Sequence, residues 1–139
     1  MNQTCHRPFS QALDRLRAAG LRPTRQRLAL AKLLFDCCDR HISAEQLHAE
    51  AIGGNIRVSL ATVYNTLHQF TTAGMLREIV VDAGRSYFDT NTSDHHHFFF
   101  EQSGRLEDIP GDTIAVTRVP QAPQGTTIQR VDVIVRVSA

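Results

Sequence analysis

The amino-acid sequence predicts an α+β protein in two parts, residues 1–90 and 91–139. Three observations carry that expectation. Four segments repeat apolar residues at helical spacing; the period then drops to two at Leu76; and a polar run at 89–94 separates this region from a second, strand-rich one.

The first helix is read from Phe9, Leu13 and Leu16, with Gly20 as its stop. Thr24 is placed to cap a second helix through Leu28, Leu30, Ala31 and Leu34, ending near Cys38. Ser43, with Gln46 three residues on, forms the signature of a capping box. It opens a third helix that buries Leu47 and Ala51 and stops at Gly53-Gly54. Ser59 caps a fourth, whose apolar stripe is Leu60, Val63, Leu67 and Phe70 and whose stop is Gly74. Leu76 to Val81 then reads as a strand, 82–85 as a turn and Ser86 to Phe88 as the return strand. Helices closed by a hairpin make a winged helix, in which the last helix enters the DNA major groove.

Beyond the polar run, His97 to Glu101 and Leu106 to Ile109 read as strands, and a short helix is expected from Asp112 to Val119. Val131, Val133, Val135 and Val137 alternate with Asp132, Ile134 and Arg136, the pattern of a half-buried strand. So small a module has a weak core and an open edge, which pairing with a second copy would cover. A homodimer is therefore expected.

Charge divides the chain in the same way. The net charge is +1, yet residues 1–35 hold seven basic side chains and one acid, while 91–139 hold four against six. A basic front end suits a polyanion. Fourteen of the fifteen basic residues are Arg, whose planar fork fits phosphates and base edges, although a genome-wide composition bias would give the same count. No apolar run approaches the ~20 residues of a membrane span. No secretory signal is read at the start, and the odd cysteine count suggests no disulfide framework, so the expected location is the cytoplasm.

The fourth helix offers Ser59, Ala61, Thr62, Tyr64, Asn65 and His68 on its polar face. Asn can bond an adenine edge, and Tyr or Thr can touch a thymine methyl. Arg22, Arg25 and Arg27 sit where they could hold the phosphate backbone or enter the minor groove. Periodicity alone leaves open that Tyr64 and Asn65 are ordinary surface residues.

The run Asp94-His95-His96-His97 is the second candidate site. In an extended chain His95 and His97 share one face while His96 points away. Imidazoles with carboxylates suit Fe²⁺, Mn²⁺ or Zn²⁺, and His41 and Asp89 could complete such a set. The adjoining Phe98-Phe99-Phe100 equally suits haem, which needs an axial His and an apolar face. A small metal-dependent hydrolase would use the same histidines, but a nucleophile with its base and a Gly-rich phosphate loop are missing from the sequence.

Three blocks, Gly20 to Arg27, His41 to Leu47 and Ser59 to Leu67, come in an order that resembles the ferric uptake regulator superfamily over nearly the whole chain. The resemblance implies an N-terminal winged-helix DNA-binding domain, a small α/β dimerisation domain, binding to AT-rich palindromic double-stranded DNA, and no enzymatic activity. It places Tyr64 on the base-contacting tyrosine and Arg22 on the residue that reaches the minor groove, with Asn65 where many members carry Arg. It assigns regulatory metal ligands to His41, Asp89, His95 and His97. A metal joining the two domains would fix the angle between a dimer's two reading helices. Many relatives carry a zinc-binding Cys-x-x-Cys where this chain has Phe100-Glu101-Gln102-Ser103, so a structural cysteine zinc site is not expected.

The triple histidine and the missing cysteine pair resemble the iron response regulator branch. That likeness implies haem at His95, His96 and His97, assisted by Cys5-His6, control of haem-synthesis and iron-homeostasis genes, and a haem-delivering enzyme as partner. A metal-corepressed or peroxide-sensing regulator of the same superfamily is the alternative.

Overall fold

The structure, a computed structural model, describes residues 9–36 and 38–139; Cys5, His6, Arg7 and Cys37 lie outside the described residues, as do the side chains of residues 9 and 10. The chain divides into two compact units, the first ending at Thr92 and the second spanning Ser93–Ala139.

The first unit begins with α1 (Phe9–Ala18) and α2 (Arg25–Phe35). Helix α1 ends in a Schellman motif. Gly20, at φ +77°, lets its own N–H reach the Arg17 carbonyl and that of Leu21 reach Leu16. Thr24 caps α2, its hydroxyl accepting from the Arg27 N–H. A two-residue strand, β1 (His41–Ile42), leads into α3 (Ala44–Gly53). Both halves of the capping box between Ser43 and Gln46 are formed. Ser59 caps α4 (Leu60–Thr72), which ends in a second Schellman motif at Gly74, where Met75 N–H reaches the Phe70 carbonyl.

The hairpin follows as β2 (Arg77–Asp82) and β3 (Arg85–Asp89), so helices and hairpin come in the order a winged helix requires. Strand β1 was not legible in the sequence. It pairs antiparallel with β3, matching His41 with Asp89 and Ile42 with Phe88, and makes a three-stranded sheet of order β1-β3-β2. The residues 89–94, expected as a polar hinge, therefore start with a strand residue, and Asp89 and Thr90 are buried. One core joins all of these elements, from Leu16 and Leu30 through Phe35, Leu47, Val63 and Phe70 to Phe88. Burying a side chain of this size contributes about 2–3 kcal/mol. Leu60, read as part of the apolar stripe, is 38% exposed, and Thr66 takes the buried position one turn on from Val63. Cys38 is disulfide-bonded, against the expectation from cysteine count.

The second unit is a sheet of order β5-β4-β6. β4 (His96–Phe100) and β5 (Arg105–Ile109) form an antiparallel hairpin, and β6 (Ile134–Val137) lies parallel to β4. The helix expected at Asp112 to Val119 is not formed; residues 110–133 hold neither helix nor strand. Pro110, Pro120 and Pro123 break up that stretch. The valine alternation is only partly realised, with Val131 exposed and Val133, Ile134 and Val135 all half-buried. Among the described residues no helix is long and apolar enough to cross a membrane.

Candidate nucleic-acid interface and metal centre

Helix α4 presents Ala61, Tyr64, Asn65 and His68 to solvent. The same turn that starts the helix uses Ser59 twice. Its hydroxyl accepts from Thr62 N–H at 3.1 Å and donates to Thr62 Oγ1 at 2.9 Å. Thr62 is half-buried. Tyr64 is the most constrained of the exposed set. Its hydroxyl donates to Glu45 Oε1 at 2.5 Å and lies 3.2 Å from Oε2. That bond holds the Tyr64 phenol protonated above its ordinary range, with burial and the Glu45 charge adding to the effect. On its other side the ring stacks on His68, centroids 6.4 Å apart and planes 19° apart. His68 meets the edge of Phe88 at 5.7 Å.

The three arginines behave differently from one another. Arg22 and Arg25 are exposed at the entry to α2. Arg27 turns inward and joins elements: it donates to the Arg22 carbonyl at 2.9 Å and, through Nε and Nη2, to Gln69 Oε1 on α4 at 3.3 and 3.0 Å. The entry to α2 and the later turns of α4 are thus brought together. Glu45 and Gln69 were not singled out from sequence. Helical spacing gives no sign of contacts between α3 and α4 or between α2 and α4.

The histidine run is extended and alternates. His97 is 2% and His95 7% exposed, their rings 4.5 Å apart, while His96 uses its Nδ1 to accept from Val133 N–H at 3.1 Å. The Nε2 atoms of His95 and His97 lie 3.2 and 3.3 Å from one oxygen, Asp108 Oδ1. His95 Nδ1 donates to the Ser93 carbonyl at 2.6 Å, which leaves Nε2 as the nitrogen that faces Asp108. Two imidazole nitrogens and a carboxylate oxygen converging in this way form a donor set that suits a divalent cation. Asp108 was missed in the sequence. Its signal was there: folding the chain back at the 101–104 turn sets Asp108 opposite His97.

In the first unit His41 Nε2 lies 3.2 Å from Asp89 Oδ2. The other Asp89 oxygen accepts from Asn91 N–H at 2.9 Å, so Oδ2 is the oxygen presented to the imidazole. Two donors stand together here, and three in the second unit. Both sets mix imidazole with carboxylate, the chemistry that suits Fe²⁺, Mn²⁺ and Zn²⁺. Phe100 lies under the Arg105 guanidinium at 4.3 Å.

The profile of the ferric uptake regulator family matches residues 18–136. The chain is 35% identical over 101 residues to the peroxide operon regulator of Bacillus subtilis, covering 73% of this chain and 69% of that protein. It is 38% identical over 81 residues to the ferric uptake regulation protein of Bordetella parapertussis, 58% of each chain. The solved ferric uptake regulator of Vibrio cholerae superposes with a TM-score of 0.72 at 26% identity, over 91% of this chain and 98% of that one.

Proposed function

Because the chain belongs to the ferric uptake regulator family, whose members are metal-responsive transcriptional regulators and not enzymes, we propose that it binds AT-rich palindromic operators as a homodimer under the control of a bound divalent metal. In this reading residues 1–90 are the DNA-binding domain, and residues 91–139 the dimerisation and sensing domain. Helix α4 reads bases through Tyr64, Asn65, Ala61 and Thr62, Ser59 supplies the helix start, and Arg22 and Arg25 meet phosphates or the minor groove. Arg27 acts by holding α2 to α4.

The observation that carries the metal reading is the convergence of two buried imidazole nitrogens on one Asp108 oxygen. The family resemblance adds His41 and Asp89 to His95 and His97 as ligands of one regulatory ion, with Asp108 as a further ligand in the second unit. Such an ion would bias a pair of reading helices toward one spacing. Haem at His95, His96 and His97 has less support. Two of the three rings are buried to within 7% exposure, and the third already accepts a backbone N–H. A macrocycle would have to unpack them to gain an axial bond. The peroxide reading, in which the metal catalyses oxidation of its own histidine ligands, is favoured by the likeness to the Bacillus peroxide operon regulator.

One titration separates these readings. Fluorescence anisotropy of an AT-rich palindromic duplex is followed against protein, alone, with Mn²⁺, and with haemin. Mn²⁺-dependent binding that haemin leaves unchanged is expected. His97→Ala should abolish the response, and one ion per chain should bind. Binding that haemin weakens and Mn²⁺ ignores would install haem as the ligand. Loss of binding on peroxide treatment of the Fe²⁺ form, with added oxygen on His41 or His97 by mass spectrometry, would assign the peroxide reading.

A further inference from the structure

We infer that Glu45 and His68 are positioning residues for Tyr64, holding the ring in one orientation for base reading while touching no base themselves. This rests on the reading above, in which Tyr64 meets base edges.

Tyr64 is an exposed aromatic on an exposed helix face, and such a ring ordinarily samples several rotamers. Here it is gripped on both sides. The Glu45 carboxylate takes its hydroxyl in a short, charge-assisted hydrogen bond. His68, one turn further along α4, sets its ring beside that of Tyr64, nearly parallel and offset, with centroids 6.4 Å apart. Each grip is rooted in something rigid. Glu45 sits in the first turn of α3, where the Ser43–Gln46 capping box fixes the helix start and the helix dipole favours a carboxylate. His68 rests edge-on against Phe88, which is 1% exposed in β3.

The helix dipole alone gives Glu45 only a small benefit there. A carboxylate beside a DNA-reading helix repels phosphates, so on charge alone it lowers affinity for every duplex. Its return is orientation. A ring already immobilised loses less side-chain freedom on binding, an advantage of roughly three- to tenfold in affinity confined to complexes where the ring meets its base.

The experiment starts by selecting a preferred duplex from random DNA with the Mn²⁺-loaded full chain. The ratio of affinities for this duplex and a scrambled one is then compared across variants. Glu45→Leu removes both acceptor and charge, and should lower the ratio three- to tenfold while binding to scrambled DNA holds or rises. Glu45→Gln removes the charge but keeps an acceptor, and should retain the ratio. Tyr64→Phe should behave as Glu45→Leu, and the two together should lose no more than either alone. His68→Leu should lower the ratio, and His68→Phe should restore it. Tyr64 ionisation, followed by ultraviolet absorbance, should fall toward the ordinary phenol range in Glu45→Leu. An equal loss on both duplexes would mean that Glu45 only supports the fold, and would overturn the inference. So would an unchanged ratio in Glu45→Leu beside a collapsed ratio in Tyr64→Ala. An unchanged ratio in Tyr64→Ala itself, or no selected sequence at all, would instead remove the underlying reading.

Discussion

The two units solve the problem of burial differently. The first wraps four helices and a three-stranded sheet around one core in which Leu16, Leu30, Leu34, Leu47, Val63, Leu67 and Phe70 are fully buried. Its helices are closed by side-chain caps at Thr24, Ser43 and Ser59 and by glycine stops at Gly20 and Gly74. The second unit buries Phe99, Leu106 and Ile109 and leaves Val116, Val119, Ile128 and Val131 between 39% and 46% exposed. The first also leaves Ile52 and Val80 exposed, at 51% and 60%, but around a much larger core. The second has apolar surface left over, in keeping with a domain whose core is completed by a second copy.

Breaking the first unit should need only one core side chain. Phe70→Ala, at a site with no exposure, is expected to cost about 3–5 kcal/mol, read from urea unfolding followed by circular dichroism. A cost under 1 kcal/mol would mean that the core is looser than its burial suggests. Removing a cap tests the local level. Ser43→Ala should cost about 1 kcal/mol by the same assay, since it removes the hydroxyl that accepts from the Gln46 N–H while leaving the backbone half of the capping box in place. The smallest thermodynamic effect sharpens the contrast most. Val131→Asp, at an exposed position, should change unfolding stability at low protein concentration by less than about 0.5 kcal/mol. It should nevertheless shift sedimentation from dimer toward monomer, and an intact dimer in that variant would place the interface elsewhere.

The same contrast explains what the sequence made legible. Caps, stops and the hairpin are short-range features, and Thr24, Ser43, Gly20 and Gly74 stand where local chemistry puts them. The family blocks led to α4 and to the histidines. What stayed hidden depends on tertiary contact. Strand β1 is two residues long and exists because β3 comes to pair with it. Glu45 becomes informative only once Tyr64 is known to reach it, and Arg27 only once Gln69 does. The expected helix at 112–119 failed because periodicity across a proline-rich stretch carried no capping signal strong enough to overcome it. Tail valines that alternate in sequence bury little here, Val131 being exposed and Val133, Val135 and Val137 half-buried.

The parallel pairing of β4 with β6 also sets an order of events. The β4–β5 hairpin closes across the short turn at 101–104, whereas β6 arrives only after the chain has travelled the irregular stretch 110–133, roughly six times as long. Closing the longer loop costs about 1.5 kcal/mol more in chain entropy, with no helix along the way to shorten the path. The hairpin is therefore expected to form first in the second unit and β6 to dock last. In pulse-labelled hydrogen exchange during refolding, the Glu101 N–H, bonded to Val137, should gain protection after the amides of the hairpin.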